Sequence, residues 1–193
     1  MPRSREYDAQ AARAGLVAAF LDKGFANASL VDLEKASGLN RRQLYNDFGN
    51  KHDIFELALR DFSARAGEQF LLRLERGERG VDDIAETLNG MVDLADTPQG
   101  RLGCLVCNTS REAVAHEPAI AELVGRFFER IERGYRDALE RARQLGELPP
   151  QANLRRLSRF FLGVHVSVCV LCRAGVSVRV LRDITEEALR RVR

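Results

Sequence analysis

Residues 29–53 read SLVDLEKASGLNRRQLYNDFGNKHD, and the spacing of polar residues within this stretch decides the fold of the N-terminal quarter. Ser29 is followed three positions later by Asp32, Asn40 by Gln43, and Asn50 by Asp53. Each pair has the form of a helix start, in which the first side chain accepts from an unpaired backbone N–H and the second reaches back to the cap. The spacing predicts a helix over 30–37, a turn at Gly38-Leu39-Asn40, and a second short helix over 41–48. Two helices joined by a glycine-containing turn make a helix-turn-helix. Helices this short are unstable alone. Phe20, Phe25, Leu30, Leu33, Ala36, Leu39, Leu44 and Phe48 are the apolar residues available to bury them, and a preceding helix adds Ala12, Leu16 and Ala19 beside Phe20.

With those residues inward, the exposed face of the second helix carries its chemistry. Arg41, Arg42 and Gln43 occupy its first turn, where side chains of a recognition helix meet base edges in the major groove. Arginine pairs bidentately with guanine and glutamine with adenine. Tyr45 and Asn46 lie one turn on. Ser29 and Lys51 fall at the starts of the flanking helices, where unpaired N–H groups and the helix dipole favour a phosphate. The expected partner is double-stranded DNA. Two adjacent arginines alone would read as a solvated surface pair; their place at a capped helix start makes them a candidate interface.

Along the rest of the chain, Pro and Gly cluster near 77–80, 98–103, 118, 146–150 and 175 and divide it into segments of helical length. Leu123, Phe127, Ile131, Tyr135 and Leu139 share one helical face. The alternation Val164, Val166, Val168 and Val170 with His165, Ser167 and Cys169 suggests a strand. The wider set Leu157, Phe161, Val164, Val168 and Leu171 follows helical steps of four and three, and a strand here would lack a partner. The fold class is therefore all-α, with a helix-turn-helix domain over 1–49 and a helical regulatory and dimerisation domain over 50–193. The 157–171 stripe is expected to pack into the core on one face and against a second copy on another.

Composition bounds the function. The chain has 193 residues, 45% of them hydrophobic, enough for a sizeable core. Thirty Lys and Arg against 28 Asp and Glu give a net charge of +2, too slight to announce a nucleic-acid partner without local placement. The longest apolar stretch, 160–172, is interrupted by His165 and Ser167 and is too short for a membrane span. With no signal-peptide core at the N-terminus, a cytoplasmic location and no membrane partner are expected. The four cysteines are expected to be thiols.

From Gly24-Phe25 through Leu30-Val31-Asp32-Leu33, Ala36-Ser37-Gly38-Leu39 and Leu44-Tyr45-Asn46-Asp47-Phe48-Gly49-Asn50-Lys51 to Ile54-Phe55, the sequence resembles the DNA-binding domain of the tetracycline-repressor (TetR) family. The resemblance covers about fifty residues. It implies a three-helix N-terminal domain, a regulatory body of about six helices, a homodimer built on the last two long helices, and release from DNA on binding a small-molecule effector. It also implies that Ser29, Tyr45 and Lys51 contact phosphates while Arg41, Arg42, Gln43 and Asn46 face the groove. Many family members carry His where this chain has Asp47. An acid near a phosphate backbone is unfavourable unless neutralised, and Lys51, one turn on, is the expected partner. A two-fold dimer would set the recognition helices about 34 Å apart and calls for a palindromic operator.

Cysteines occur as two C-x-x-C pairs, Cys104/Cys107 and Cys169/Cys172. The second lies in the apolar stripe and reads as core. The run Gly103-Cys104-Leu105, followed by Asn108 and Glu112, is similar to a Gly-Cys-Leu motif in a subset of TetR-like regulators, some of which sense electrophiles or oxidants through that cysteine. A position at a helix start would lower the Cys104 thiol pKa. Cys104 and Cys107 are thus the candidate sensor; the alternative makes them the dithiol of a thiol/disulfide or zinc-dependent redox protein. The intervening stretch is too long for a zinc ribbon, so no metal is assigned, and no cofactor. His116 and His165 are left as structural. There is no convincing Ser/His/Asp set, glycine-rich phosphate loop or metal-binding His/Glu motif, so an enzyme is not expected. A helical interaction module without DNA binding would account for the amphipathic body but not for the caps and the exposed arginines. The effector is expected in a cavity between helices of the 81–172 region, as a small hydrophobic or reactive compound.

Overall fold

The computed structural model describes residues 7–192; the first six positions of the predicted 1–49 domain lie outside them. The chain forms α1 (Ala9–Asn27), α2 (Leu30–Ser37), α3 (Arg41–Phe48) and α4 (Lys51–Ala66). A π-turn at Gly67–Leu71 leads from α4 to α5 (Leu72–Arg76). Then follow α6 (Val81–Ala95), α7 (Leu105–Thr109), α8 (Pro118–Gln144), α9 (Leu154–Arg173) and α10 (Val178–Leu189). Among the described residues there is no strand, so the fold is all-α.

All three anticipated caps are capping boxes closed in both directions, and they set the starts of α2, α3 and α4. The Lys23 ammonium, followed by the Ser29 hydroxyl, holds the Asp32 carboxyl well below the usual carboxylate range, so the first box keeps its charge. Gly38 ends α2 in the left-handed conformation, turning the chain toward Asn40. Leu33, Leu39 and Leu44 are buried against Leu16 and Phe20 of α1 and Phe55 of α4. Phe20 and Phe25 each place a ring 4.9 Å from that of Phe55. Ala36, expected in this core, is exposed: its backbone meets α1 instead, with its carbonyl over Gly15.

The core does not stop at the third helix. One apolar cluster runs from Ala12 through Ile54, Leu71, Ile84, Phe127 and Phe161 to Val192. In α8, Phe127, Ile131, Tyr135 and Leu139 are buried and Leu123 packs against them, the face read from their spacing. Residues 164–170 are helical: Phe161, Val164, Val168 and Cys172 are buried along one side of α9, so the wider four-and-three pattern prevails over the local alternation. The Tyr135 and Phe161 rings stack at 5.4 Å where α8 and α9 meet. α10 closes the body against α6 and α9 through a smaller cluster of Val92, Ala95, Cys172 and Leu181.

Candidate DNA interface and effector cavity

On α3 only Leu44 is buried; Arg41, Arg42, Tyr45 and Asn46 are exposed and Gln43 is half-buried. The side chains differ in how they are held. Arg41 Nε donates to Glu34 of α2 at 3.0 Å, and the Gln43 carbonyl oxygen accepts from the Asn40 N–H at 3.0 Å to complete its capping box. Among the described residues, Arg42 has neither kind of tether. Ser29 caps α2, its hydroxyl donating to Asp32 at 2.6 Å. Lys51 opens α4 with its ammonium 4.6 Å from the centre of the Phe25 ring, a cation–π contact. This placement corrects the expected Asp47–Lys51 pair: Asp47 accepts from the Tyr7 hydroxyl at 2.6 Å instead.

Behind this face, α1 and α4 form one wall of a cavity of about 660 Å³. Val17 and Leu21 of α1, Phe62 of α4 and Phe70 of the π-turn line it, facing Met91 of α6, Phe127 of α8 and His165 of α9. The volume falls in the range of small-molecule sites, and the lining is mostly apolar. The sequence placed such a cavity among residues 81–172; the wall also takes in residues 14–21 and 62–71. Leu16 and Phe20, their neighbours on α1, are buried in the core beneath α2 and α3, and the packing of α1 against the body turns Val17 and Leu21 to the cavity.

Burial drives the His165 pKa down to about 4, so the imidazole is neutral at pH 7, and its Nδ1 lies 3.2 Å from the Tyr135 hydroxyl. Burial pushes the Tyr135 pKa up, which leaves that hydroxyl a proton donor. His165 is therefore a buried, partnered residue on the cavity wall.

Two side chains of the body hold backbone atoms of α1. The Arg173 guanidinium donates to the carbonyls of Leu21 and Leu102 at 3.2 Å each and of Asp22 at 2.7 Å. The Glu112 carboxylate accepts from the N–H groups of Phe25 at 3.2 Å and Ala26 at 2.9 Å, just beyond the break in α1 at Gly24. Asn108 donates to the same Leu102 carbonyl that Arg173 holds, at 3.1 Å. These contacts give a structural reason for the residues following Gly103-Cys104-Leu105. Gly103 itself has φ 73°, and a Cβ there would lie 3.1 Å from both Arg173 Cβ and the Cys169 carbonyl. The sequence singled out Glu112 only as part of the Gly-Cys-Leu run, and the contacts of Glu112 and Arg173 were not legible in it, because each acts on backbone atoms far away in the chain.

The thiols regroup across the predicted pairs. Cys169 joins Cys104 and Cys107, the three sulfurs all lying within 4.8 Å of one another. Cys172 points away and donates to the Gly100 carbonyl at 3.1 Å. The core reading of this pair holds, with Cys172 in the smaller apolar cluster and Cys169 packed against the larger one, but three residues along a helix set the two side chains about 60° and about 4.5 Å apart, and they meet different neighbours. Donation from Cys107, then from Cys169, holds the Cys104 thiol well below its usual range. The same bonds to Cys104, together with burial, push Cys107 and Cys169 up. Cys104 does sit at the N-cap of α7, but this helix is only five residues long, and the neighbouring sulfurs are the larger cause of the shift.

A capped helix-turn-helix whose preceding helix also walls an apolar cavity is the architecture of a regulator with a DNA-binding head and a sensor body. Residues 80–187, more than half of the chain, match the tetracyclin repressor-like C-terminal domain. The chain belongs to the TetR family of transcriptional regulators. It is 24% identical over 190 residues to YezE of Bacillus subtilis (strain 168), an uncharacterized HTH-type transcriptional regulator, covering 98% of each chain. It is 25% identical over 192 residues to the HTH-type transcriptional repressor ComR of Escherichia coli (strain K12), covering 97% of this chain and 90% of that one. In fold it resembles a cysteine mutant of the TetR family regulator CifR, solved with 26bp double-strand operator DNA, with TM-score 0.88 and 24% identity over 97% of this chain and 98% of that one. The reduced form of Escherichia coli NemR superposes with TM-score 0.78 at 18% identity, over 94% of this chain and 95% of that one.

Proposed function

We propose that this chain is a repressor that binds a palindromic double-stranded DNA operator as a homodimer and is released by a small molecule or thiol-reactive signal received in the cavity. The observation that carries the reading is the double use of α1: its buried face supports α2 and α3, and Val17 and Leu21 of the same helix wall the cavity. A ligand that fills the cavity presses on the helix that aims α3. The functional division is 1–49 for DNA and 50–193 for sensing and dimerisation, with α4 crossing between them: Ile54 and Phe55 serve the first core and Phe62 and Arg65 the cavity. ComR is named a repressor, and CifR is bound to operator DNA, in accord with this assignment.

In the proposed complex Arg41, Arg42, Gln43 and Asn46 face the groove and Ser29, Tyr45 and Lys51 the phosphates. Arg42 is the leading base contact, since Arg41 and Gln43 must first give up Glu34 and Asn40. Cys104 and Cys107 are the thiol sensor. Phe160 on α9 and Val180 on α10, both more than two-fifths exposed, belong to the dimer seam. The protein acts by binding and not by turnover, and its place is the cytoplasm; no described helix is long and apolar enough to cross a membrane.

The test is fluorescence anisotropy with duplex DNA from upstream of the coding region, beside a scrambled duplex, at two salt concentrations. Selective, salt-weakened binding is expected. Arg42→Ala should weaken it by about 10–100-fold, the worth of one bidentate base contact, with fold and dimer intact. Equal affinity for every duplex, including those selected from random DNA, would refute the reading.

A further inference from the structure

The three-sulfur cluster has a composition that neither an effector cavity nor a dithiol switch requires. Cys104 comes from the turn before α7, Cys107 from α7 and Cys169 from α9, and their sulfurs lie within 4.8 Å of one another. Cys104 and Cys169 line the cavity, while Cys107 is buried and lies behind them. The set is therefore reachable from the cavity and closed on its far side. We propose that Cys104, Cys107 and Cys169 bind trivalent arsenic through sulfur alone.

Three arguments select this class. The donors are all sulfur, with no carboxylate in the cluster, which turns away hard ions such as magnesium or calcium. Bonds of about 2.3 Å in a pyramid with near-right angles would bring the sulfurs to about 3.4 Å from one another, so the cluster needs to close by no more than about 1.5 Å. Closed zinc sites take four ligands, whereas this cluster brings three, the number that a three-coordinate ion uses. Charge then ranks the soft ions. Three thiolates carry three negative charges, and the cluster has no cationic member; an ion of charge +3 cancels them, where Zn(II) leaves one uncompensated in a buried site at a cost of several kcal/mol.

With arsenite the step balances as As(OH)3 plus three R–SH giving As(S–R)3 plus three H2O. Three As–O and three S–H bonds break, three As–S bonds form, each proton leaves with a hydroxide as water, and no electron is transferred.

The experiment uses the full chain, reduced and handled anaerobically, and does not depend on DNA binding. Arsenite, Cu(I) with a competing chelator, and Zn(II) are offered separately. Retained ion per chain is measured after desalting, and X-ray absorption counts the sulfurs around it. One arsenic per chain with three sulfur neighbours is expected. Cys169→Ser should lose the ion, and Cys172→Ser, whose sulfur lies outside the cluster, should keep it. Retention unchanged in Cys169→Ser, a shell of two sulfurs, or retention of Cu(I) or Zn(II) without retention of arsenic overturns the proposal. If Cys169→Ser does not fold, the sulfur count in the unaltered protein decides.

Discussion

His165 is buried on α9 where it meets α8 and lines the cavity, and its burial sets a pH dependence that can be worked out in advance. Its pKa is about 4 in the folded chain against 6.5 as its ordinary value. Between those values the unfolded chain holds a proton that the folded chain does not, so stability rises with pH across this window. The contribution is fully present above pH 6.5 and is lost as pH falls toward 4. A difference of 2.5 units corresponds to about 3 kcal/mol in full, and about 2 kcal/mol of it should be gone by pH 5. Urea unfolding followed by circular dichroism from pH 7.5 to 4.5 measures the loss. Surface carboxylates titrate near the lower end as well, so the quantity to compare is the difference from His165→Gln, which has no ionisable group there. The substituted protein should be less stable at pH 7.5 and show a flatter pH profile, the two curves converging as pH falls. Parallel curves down to pH 4.5 would refute the assignment of a buried, neutral imidazole.

Two further substitutions test how the DNA-binding helices are held. In Gly15→Ala the new Cβ would lie 1.8 Å from the Ala36 carbonyl oxygen, so α1 and α2 must separate; a loss of about 1–3 kcal/mol is expected, read as a lower unfolding temperature, and an unchanged temperature would contradict the close approach. Glu112→Ala removes the acceptor of two α1 N–H groups and should cost about 1–3 kcal/mol. Hydrogen exchange at Phe25 and Ala26 should quicken, while exchange in the middle of α8 should change less; equal protection in both proteins would show that the carboxylate does not hold α1.

The helix-turn-helix was legible residue by residue because its determinants are local. Each capping box lies within four consecutive positions, and Gly38 needs only its own backbone to turn the chain. The same holds for the apolar face of α8 and for the choice of helix over strand at 164–170, both fixed by a short-range period. Exposure of Arg42, Tyr45 and Asn46 follows directly once Leu44 is buried. These features need no knowledge of what packs where.

What the tertiary structure alone decided lies in contacts between segments distant in the chain. Asp47 found Tyr7 instead of Lys51, Arg173 and Glu112 reached α1 backbone, and the cavity took one wall from the DNA-binding head. The thiols make the contrast sharpest. A C-x-x-C spacing names two neighbours in sequence, and for Cys104 and Cys107 they are neighbours in space; Cys169 and Cys172 part company because a helix turns them toward different partners. Periodicity places a side chain on a face of its own helix, and only the packing of α9 against the turn before α7 determines which sulfur that face meets.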